Sequence, residues 1–419
     1  MVGFAAGVLS MHPVRAAVPR LASLVAVVFC VTALADVSPA RLARLDGFLE
    51  GYADEMRFAG AVLQVTHDGD TVYHRAVGFR DMEAGAAMQP DSIFRIASMS
   101  KAVVSAAVLM LQEQGALVIT QPLADFLPEY AATKVAVAGE DGYEVVDAAR
   151  PITIRDLLTH TAGIGYGYGA AAEEWQAAGI QHWYFGHRDE PIRETVRRMA
   201  ALPMDAQPGE RFVYGYNTDI LGAVVEAASG QPLDAFLAAE MFEPLGMVDT
   251  SFYLPAEKTE RLALVYALND EGAVEVAADD TPSHGQGHYV EGPRASFSGG
   301  AGLLSTSADY TRFLEAMRRG GEPILGRKSV ELMTVNHLGA LPNLAPGTGF
   351  GLGFAVRVDP AGAGQLGSVG EFSWGGAYHT QYWVDPAEEL TVVYMTQTLP
   401  ATGLDDFAKI RALIYQAVE

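Results

Sequence analysis

Cysteine is nearly absent: Cys30 is the only one in 419 residues. A disulfide framework is therefore excluded, and so is thiol catalysis anywhere beyond that position. Lysine is almost as scarce, with five in the chain, and 28 basic residues stand against 51 acidic ones for a net charge of −23. A chain so poor in positive charge lacks the basic face that displaces counterions from phosphates, which argues against a nucleic-acid partner. Charged residues make up only 19% and apolar residues 50%, the opposite of a disordered composition. No Gly-x-Ser-x-Gly elbow occurs, which disfavours an α/β-hydrolase, and no His-Glu-x-x-His or phosphate-binding glycine motif occurs. Ten histidines are present, but none forms a metal cluster. His284 and His288 are four apart, but in a glycine-rich loop without nearby acids at metal-ligand spacing. No metal and no cofactor is expected.

Residues 1–35 contain no acid and two arginines, Arg15 and Arg20. The apolar stretch Leu21–Leu34 follows and ends in Ala33-Leu34-Ala35, the small-x-small pattern that a signal peptidase accepts. It is short of the roughly 20 residues a membrane span needs, so a cleaved signal is favoured over a stable membrane anchor. Met11 is an alternative start, and Phe29 before Cys30 fits a lipoprotein signal poorly. The expectation is a cysteine-free domain, periplasmic or secreted, beginning near Asp36.

Ser38-Pro39 resembles a helix cap followed by proline at the first helical position, and Leu42, Leu45, Phe48, Leu49 and Tyr52 recur at helical spacing. The runs Gly60–Thr66 and Thr71–Phe79 read as strands, with Asp68-Gly69 as a hairpin turn. Ala102–Leu111 is apolar nearly all round, the pattern of a buried helix, and Gly115 marks its end. Asp219–Ala228 is a helix by pattern. Strands return at Phe350–Val358, Gln365–Ser373, Thr380–Val384 and Leu390–Gln397, and Asp405–Val418 closes the chain as an amphipathic helix. Strands at both ends with helices between them predict an α+β fold: an antiparallel sheet built from both termini, flanked by terminal helices. The boundaries read as 36–115 and 293–419 for the sheet domain and 116–292 for a mostly helical insertion.

Ser98 and Lys101 stand three apart at the head of the most apolar helix, on one face and within reach of each other. A serine hydroxyl needs a neighbouring base to become a nucleophile, and a lysine in a dry pocket can serve. The helix N-terminus adds N–H groups and positive potential. Only Lys101 of the five lysines has a serine three residues before it. A second element, Pro208–Asp219, delivers Tyr214 just before a helix; a tyrosine near an ammonium can lose its proton and act as base. A third, Phe372–Ala377, places Gly375-Gly376 on a late strand, where a ligand can approach the backbone. A backbone N–H there could join that of Ser98 to hold an oxyanion. The aromatic stretch Tyr166, Tyr168, Trp175, Trp183, Tyr184 and Phe185 reads as the wall of an acyl pocket in a long loop.

In this order the three elements resemble the serine β-lactamase and penicillin-binding-protein superfamily, and within it the class C β-lactamase-like carboxylesterases known as family VIII. Leu157–Ile164, Gly299–Thr306 and Trp383-Val384-Asp385-Pro386 are similar to segments of that family, and the resemblance spans nearly all of the chain after residue 35. It implies a β-lactamase-like fold, acylation at Ser98 and proton transfers shared by Lys101 and Tyr214, without deciding which is the base. It also implies an oxyanion hole from the N–H groups of Ser98 and Ala377. Trp374-Gly375-Gly376 stands where the family's lactamases have Lys-Thr-Gly, so the cation that binds a substrate carboxylate is missing. Tyr216 holds the third place of the Tyr-x-Asn motif, with Asn217 one place late. Both departures favour neutral esters. The expected partner is therefore a small-molecule ester or amide. The rivals are a β-lactamase or D-alanyl carboxypeptidase, a non-catalytic sensor, and an acyltransferase.

Overall fold

The computed structural model describes Gly3 and residues 36–419, apart from 140–141, 270, 279–285, 343 and 402. The expected export segment with Cys30, and His284, lie outside the described residues. Strand β1 (Gly60–His67) and strand β2 (Asp70–Asp81) form the expected hairpin. Asp68 and Gly69 both have positive φ, 46° and 84°, as a two-residue turn that matches strand twist requires. Strand β3 (Ala86–Ala87) continues one edge. The remaining strands come from the far end of the sequence: β4 (Thr348–Phe350), β5 (Ala355–Arg357), β6 (Phe372–Gly376), β7 (Thr380–Asp385) and β8 (Leu390–Thr396). Across the sheet the order is β4-β5-β6-β7-β8-β1-β2-β3, antiparallel throughout. The first strand thus lies against the last, in register from Ala61 opposite Thr396 to His67 opposite Leu390.

Alternate residues of the central strands divide between two cores, the consequence of a period of two in side-chain direction. Val62, Val393, Met395, Tyr382 and Val384 enter the larger core, whereas Ala61, Leu63, Val65, Val392, Tyr394 and Trp383 enter the smaller one. The smaller core is closed by helices α1 (Arg44–Asp54) and α6 (Asp406–Tyr415), through Leu45, Leu49, Ile410 and Ile414. The larger core holds α2 (Ser100–Glu113), α4 (Asn217–Ser229) and α5 (Ser307–Arg318). This is the α+β, β-lactamase-like arrangement expected from the sequence. No helix among the described residues is long and apolar enough to cross a membrane.

Several elements differ from expectation. Ser38 makes no side-chain cap, and its helix is a short turn, Pro39–Leu42, running into α1. The strand expected over Phe350–Val358 is two strands. Between them Gly353, at φ 90°, passes so close to Ser105 that a side chain would overlap it. The strand expected from Gln365 begins only at Phe372, because Gly367 and Gly370 turn the chain at φ 130° and 93°. Two hairpins interrupt the helical middle, Lys134–Gly139 with Gly142–Asp147 and Tyr266–Leu268 with Val274–Val276. The second strand of the former is exposed on both faces, so it carries no alternation to read.

Helix α3 (Ile154–Leu158) leads into the Thr159-His160-Thr161 turn and is held by a capping box between Thr153 and Asp156. Asp156 also pairs with Arg150 through both carboxylate oxygens, at 2.6 and 2.9 Å. Burial alone pushes this carboxyl up, but Arg150 and the Thr153 donors more than offset that and hold it below the usual range. A depressed folded-state pKa stabilises above the unfolded value and is lost as pH falls. Asp156→Asn should therefore cost about 1–3 kcal/mol at pH 7. In chemical denaturation the gap between variant and parent should close as pH drops below the ordinary value of 3.8; a gap that does not change with pH would refute this account.

Candidate active site

Ser98 lies in a single 3-10 turn, Ala97–Met99, that runs directly into α2. The residue before it, Ala97, is fully buried with φ 40°, a conformation that a residue with a Cβ holds only when its surroundings impose it. Two hydrogen bonds do so: Ile96 donates to the Leu303 carbonyl at 3.1 Å, and Tyr310 donates to the Met99 carbonyl at 2.9 Å. Strand β6 packs on the other side. A Cβ on Gly376 would overlap the Ile96 carbonyl oxygen and Thr380 Oγ1, and one on Gly375 would lie 2.7 Å from the Thr380 carbonyl oxygen. Gly376 thus lets β6 close on the serine turn, and Gly375 lets it close on β7.

Lys101 is 2% exposed. Its Nζ donates to the Gly300 carbonyl at 2.6 Å, to Ser98 Oγ at 3.1 Å and to Tyr166 OH at 3.3 Å, and lies 4.8 Å from the centre of the Tyr214 ring. Behind Gly300 sits Asp219, 1% exposed, whose Oδ1 accepts from the Gly300 N–H at 3.1 Å and from Ser298 Oγ at 2.6 Å. Burial pushes the Asp219 carboxyl up, with Lys101 the first of the influences opposing it. One residue, Gly300, therefore stands between the buried carboxylate and the buried lysine, with its N–H on the first and its carbonyl on the second. A side chain on Gly300 would overlap Asp219, and one on Gly299 would lie 2.6 Å from the Thr218 carbonyl oxygen, so this Gly-Gly pair is what the packing against α4 requires.

Tyr214 takes a hydrogen bond on its hydroxyl from Trp374 Nε1 at 3.1 Å. Ser98, Tyr214, Trp374, Gly375, Gly376 and Ala377 line one cavity of about 740 Å³, together with Tyr166 and Trp183. Strand β5 pairs with β6 only at Phe372 and Ser373, so Trp374–Gly376 have no strand neighbour on that side among the described residues. The sequence-predicted residues Ser98, Lys101, Tyr214 and Trp374–Ala377 are thus brought together.

Tyr216 and Asn217 are not. Both are fully buried. The Tyr216 hydroxyl donates to the His182 carbonyl, and its ring stacks on Trp175. Asn217 Nδ2 donates to the Ile164 carbonyl at 3.0 Å and meets His160 Nδ1 at 2.9 Å. Helix α4 begins at Asn217, which turns both side chains into the core, so their expected place on the substrate is corrected to a structural one. Burial, helped by the Lys101 charge, holds His160 well below its usual pKa, so its neutral ring can accept from Asn217.

Of the aromatic stretch, Tyr166 and Trp183 do line the cavity, whereas Trp175, Tyr184 and Phe185 are core. Tyr166 is the tyrosine hydrogen-bonded to Lys101, which the Tyr-before-helix pattern alone did not single out. Burial and the neighbouring Tyr214 raise its pKa well above the usual value, so it stays a phenol. Asp219 was missed as well; an acid inside an otherwise apolar helix start was its one signal.

The beta-lactamase family model matches residues 45–417. The chain belongs to that family. It is 35% identical over 368 residues to esterase EstB of Burkholderia gladioli, covering 85% of this chain and 90% of that one. It is 31% identical to the lovastatin esterase of Penicillium rubens, covering 86% and 94%. Among solved structures, EstCE1, described as a hydrolase with promiscuous acyltransferase activity, superposes with TM-score 0.77 at 30% identity, covering 90% of this chain and 99% of that one. This family member has the constitution of a serine hydrolase of the carboxylesterase type.

The glycine contact offers a direct check. Gly376→Ala should push β6 off the serine turn and slow fluorophosphonate labelling of Ser98 by about 10²-fold, the scale of a lost oxyanion-hole donor. Circular dichroism should still show a folded protein; labelling at the parent rate would contradict the close-approach argument.

Proposed function

We propose that the protein hydrolyses short-chain carboxylic esters through an acyl-enzyme on Ser98. The observation that carries this reading is Ser98 Oγ, 3.1 Å from a buried lysine, in a cavity whose lining includes Trp374 in place of a cation. Ser98 Oγ attacks the ester carbonyl while Lys101, in its amine form, takes the hydroxyl proton. The geometry favours Lys101 as this base, because its Nζ is in hydrogen-bonding distance of Ser98 Oγ. The N–H groups of Ser98 and Ala377 receive the developing oxyanion. The tetrahedral intermediate collapses, the alkoxide leaves with the proton returned through Lys101 and Tyr214, and water reverses the sequence on the acyl-enzyme. The EstB and lovastatin esterase relatives support the ester class.

The reading includes export. Residues 1–35 act as a cleaved signal, and the domain works in the periplasm or outside the cell. It also keeps the division into a sheet part, 36–115 with 293–419, and an inserted part, 116–292. A second reading, transfer of the acyl group to an alcohol, is favoured by the EstCE1 description and by a monacolin J acid methylbutanoyltransferase of Aspergillus terreus, 24% identical over 374 residues.

Ser98→Ala and Lys101→Ala should each lower kcat/KM on p-nitrophenyl butyrate by about 10³-fold or more, with Tyr214→Phe less severe. Nitrocefin should turn over at least about 10²-fold more slowly than the butyrate ester, and added alcohols should divert part of the acyl group to transester product. Retention of most activity by Ser98→Ala, or a preference for nitrocefin, would sink the proposal.

A further inference from the structure

A second cavity, of about 590 Å³, adjoins the first, and Tyr166 and Tyr214 line both. Asp205 lies in it. The Asp205 N–H is used on the Gly163 carbonyl at 2.8 Å. Its carboxylate sits between Gly165 and Gly169, either of which would overlap it if it carried a Cβ. Oδ1 is buried and accepts no hydrogen bond. Other buried acids differ: Asp406 receives Tyr394 and pairs with His379, Glu371 receives Arg411 and Tyr415, and Asp219 receives Ser298 and Gly300.

The one basic residue in the lining, Arg211, donates to the main-chain carbonyl of Asp205 at 2.7 Å rather than to the carboxylate. Burial pushes the Asp205 carboxyl up, and the Arg211 charge only partly opposes this. A buried acceptor without a donor is unfavourable and is met by a partner. The rest of the wall says which kind. Three tyrosine rings, Tyr166, Tyr168 and Tyr214, and a second carboxylate, Glu210, face the same space. Aromatic faces attract cations, and a net charge of −23 draws them from solution.

We propose that this cavity is an ammonium subsite of the active site. A primary alkylammonium group donates to the Asp205 carboxylate between the tyrosine rings, and the ester it belongs to reaches past Tyr166 and Tyr214 to Ser98. The substrate class is thereby narrowed to amino-bearing esters. The kinetic half of this proposal rests on the ester-hydrolase reading; the binding half does not.

The test compares the full chain with Asp205→Asn, which keeps the shape of the side chain, and with Gly169→Ala, which displaces the carboxylate. Hexylammonium titrated in a calorimeter should bind the parent and bind each variant at least tenfold more weakly. The ratio of kcat/KM for ethyl 6-aminohexanoate to that for its neutral isostere ethyl heptanoate should exceed one in the parent and fall about tenfold in Asp205→Asn. Equal binding of hexylammonium by parent and Asp205→Asn, or binding by neither, overturns the subsite. Asp205-dependent binding without hydrolysis of either ester upholds the subsite and overturns the ester-hydrolase reading instead.

Discussion

The architecture turns on the burial of one ammonium group. Lys101 is 2% exposed at the head of an almost wholly apolar helix, where an unpaired charge would cost several kcal/mol. No carboxylate among the described residues touches it. Its three hydrogen bonds go to a carbonyl, a serine hydroxyl and a phenol, and an aromatic ring covers it. The buried Asp219 lies across Gly300 from it, accepting the Gly300 N–H while Lys101 donates to the Gly300 carbonyl. A direct ion pair would tie Nζ to a carboxylate; with Gly300 between the two, Nζ keeps its contact with Ser98 Oγ. The proposed mechanism depends on that difference.

The same constraint explains where glycine is indispensable. Gly300 must admit Asp219, and Gly376 must admit the Ile96 carbonyl. Both lie where a chain segment distant in sequence is pressed against the Ser98–Lys101 turn. Topology brings them there. With β1 beside β8, the two ends of the chain share a sheet, and β6 passes the start of α2. The strained Ala97 backbone is what remains after these contacts are made: its conformation is fixed from outside by Leu303, Tyr310 and β6 rather than by its own preference.

How much of this was legible in the sequence follows from the range of the interactions. The Asp68-Gly69 hairpin and the apolar helix after Ser98 are local and were readable. The serine–lysine pair was readable for the same reason, since three residues of helix place both side chains on one face. The two interrupted late strands were misread because Gly353, Gly367 and Gly370 act through close approach and positive φ, which hydrophobic pattern does not register. Tyr166 was readable only as one aromatic among six, because its contact with Lys101 crosses 65 residues of sequence. Tyr216 and Asn217 were misassigned for the converse reason. Motif spacing placed them on the substrate, but the first turn of α4 rotates them into the core.

Trp374 connects the site to the chain's shortage of positive charge. At this position a lysine would put a positive charge on the wall of the cavity. The indole instead donates to Tyr214 and packs its ring against Tyr214 and Phe350, at 5.4 Å from each. That replaces an anion-binding charge with an apolar wall that also orients a tyrosine. Arg211, Arg357 and Arg411, the basic residues lining the two cavities, are engaged by protein oxygens, so none of these contacts is spent on a bound anion. Asp205 retains a carboxylate oxygen with no such partner. On our proposals, a preference for ammonium-bearing over acidic substrates follows from this one arrangement, in which the three arginines are engaged by protein oxygens and one oxygen of Asp205 is not.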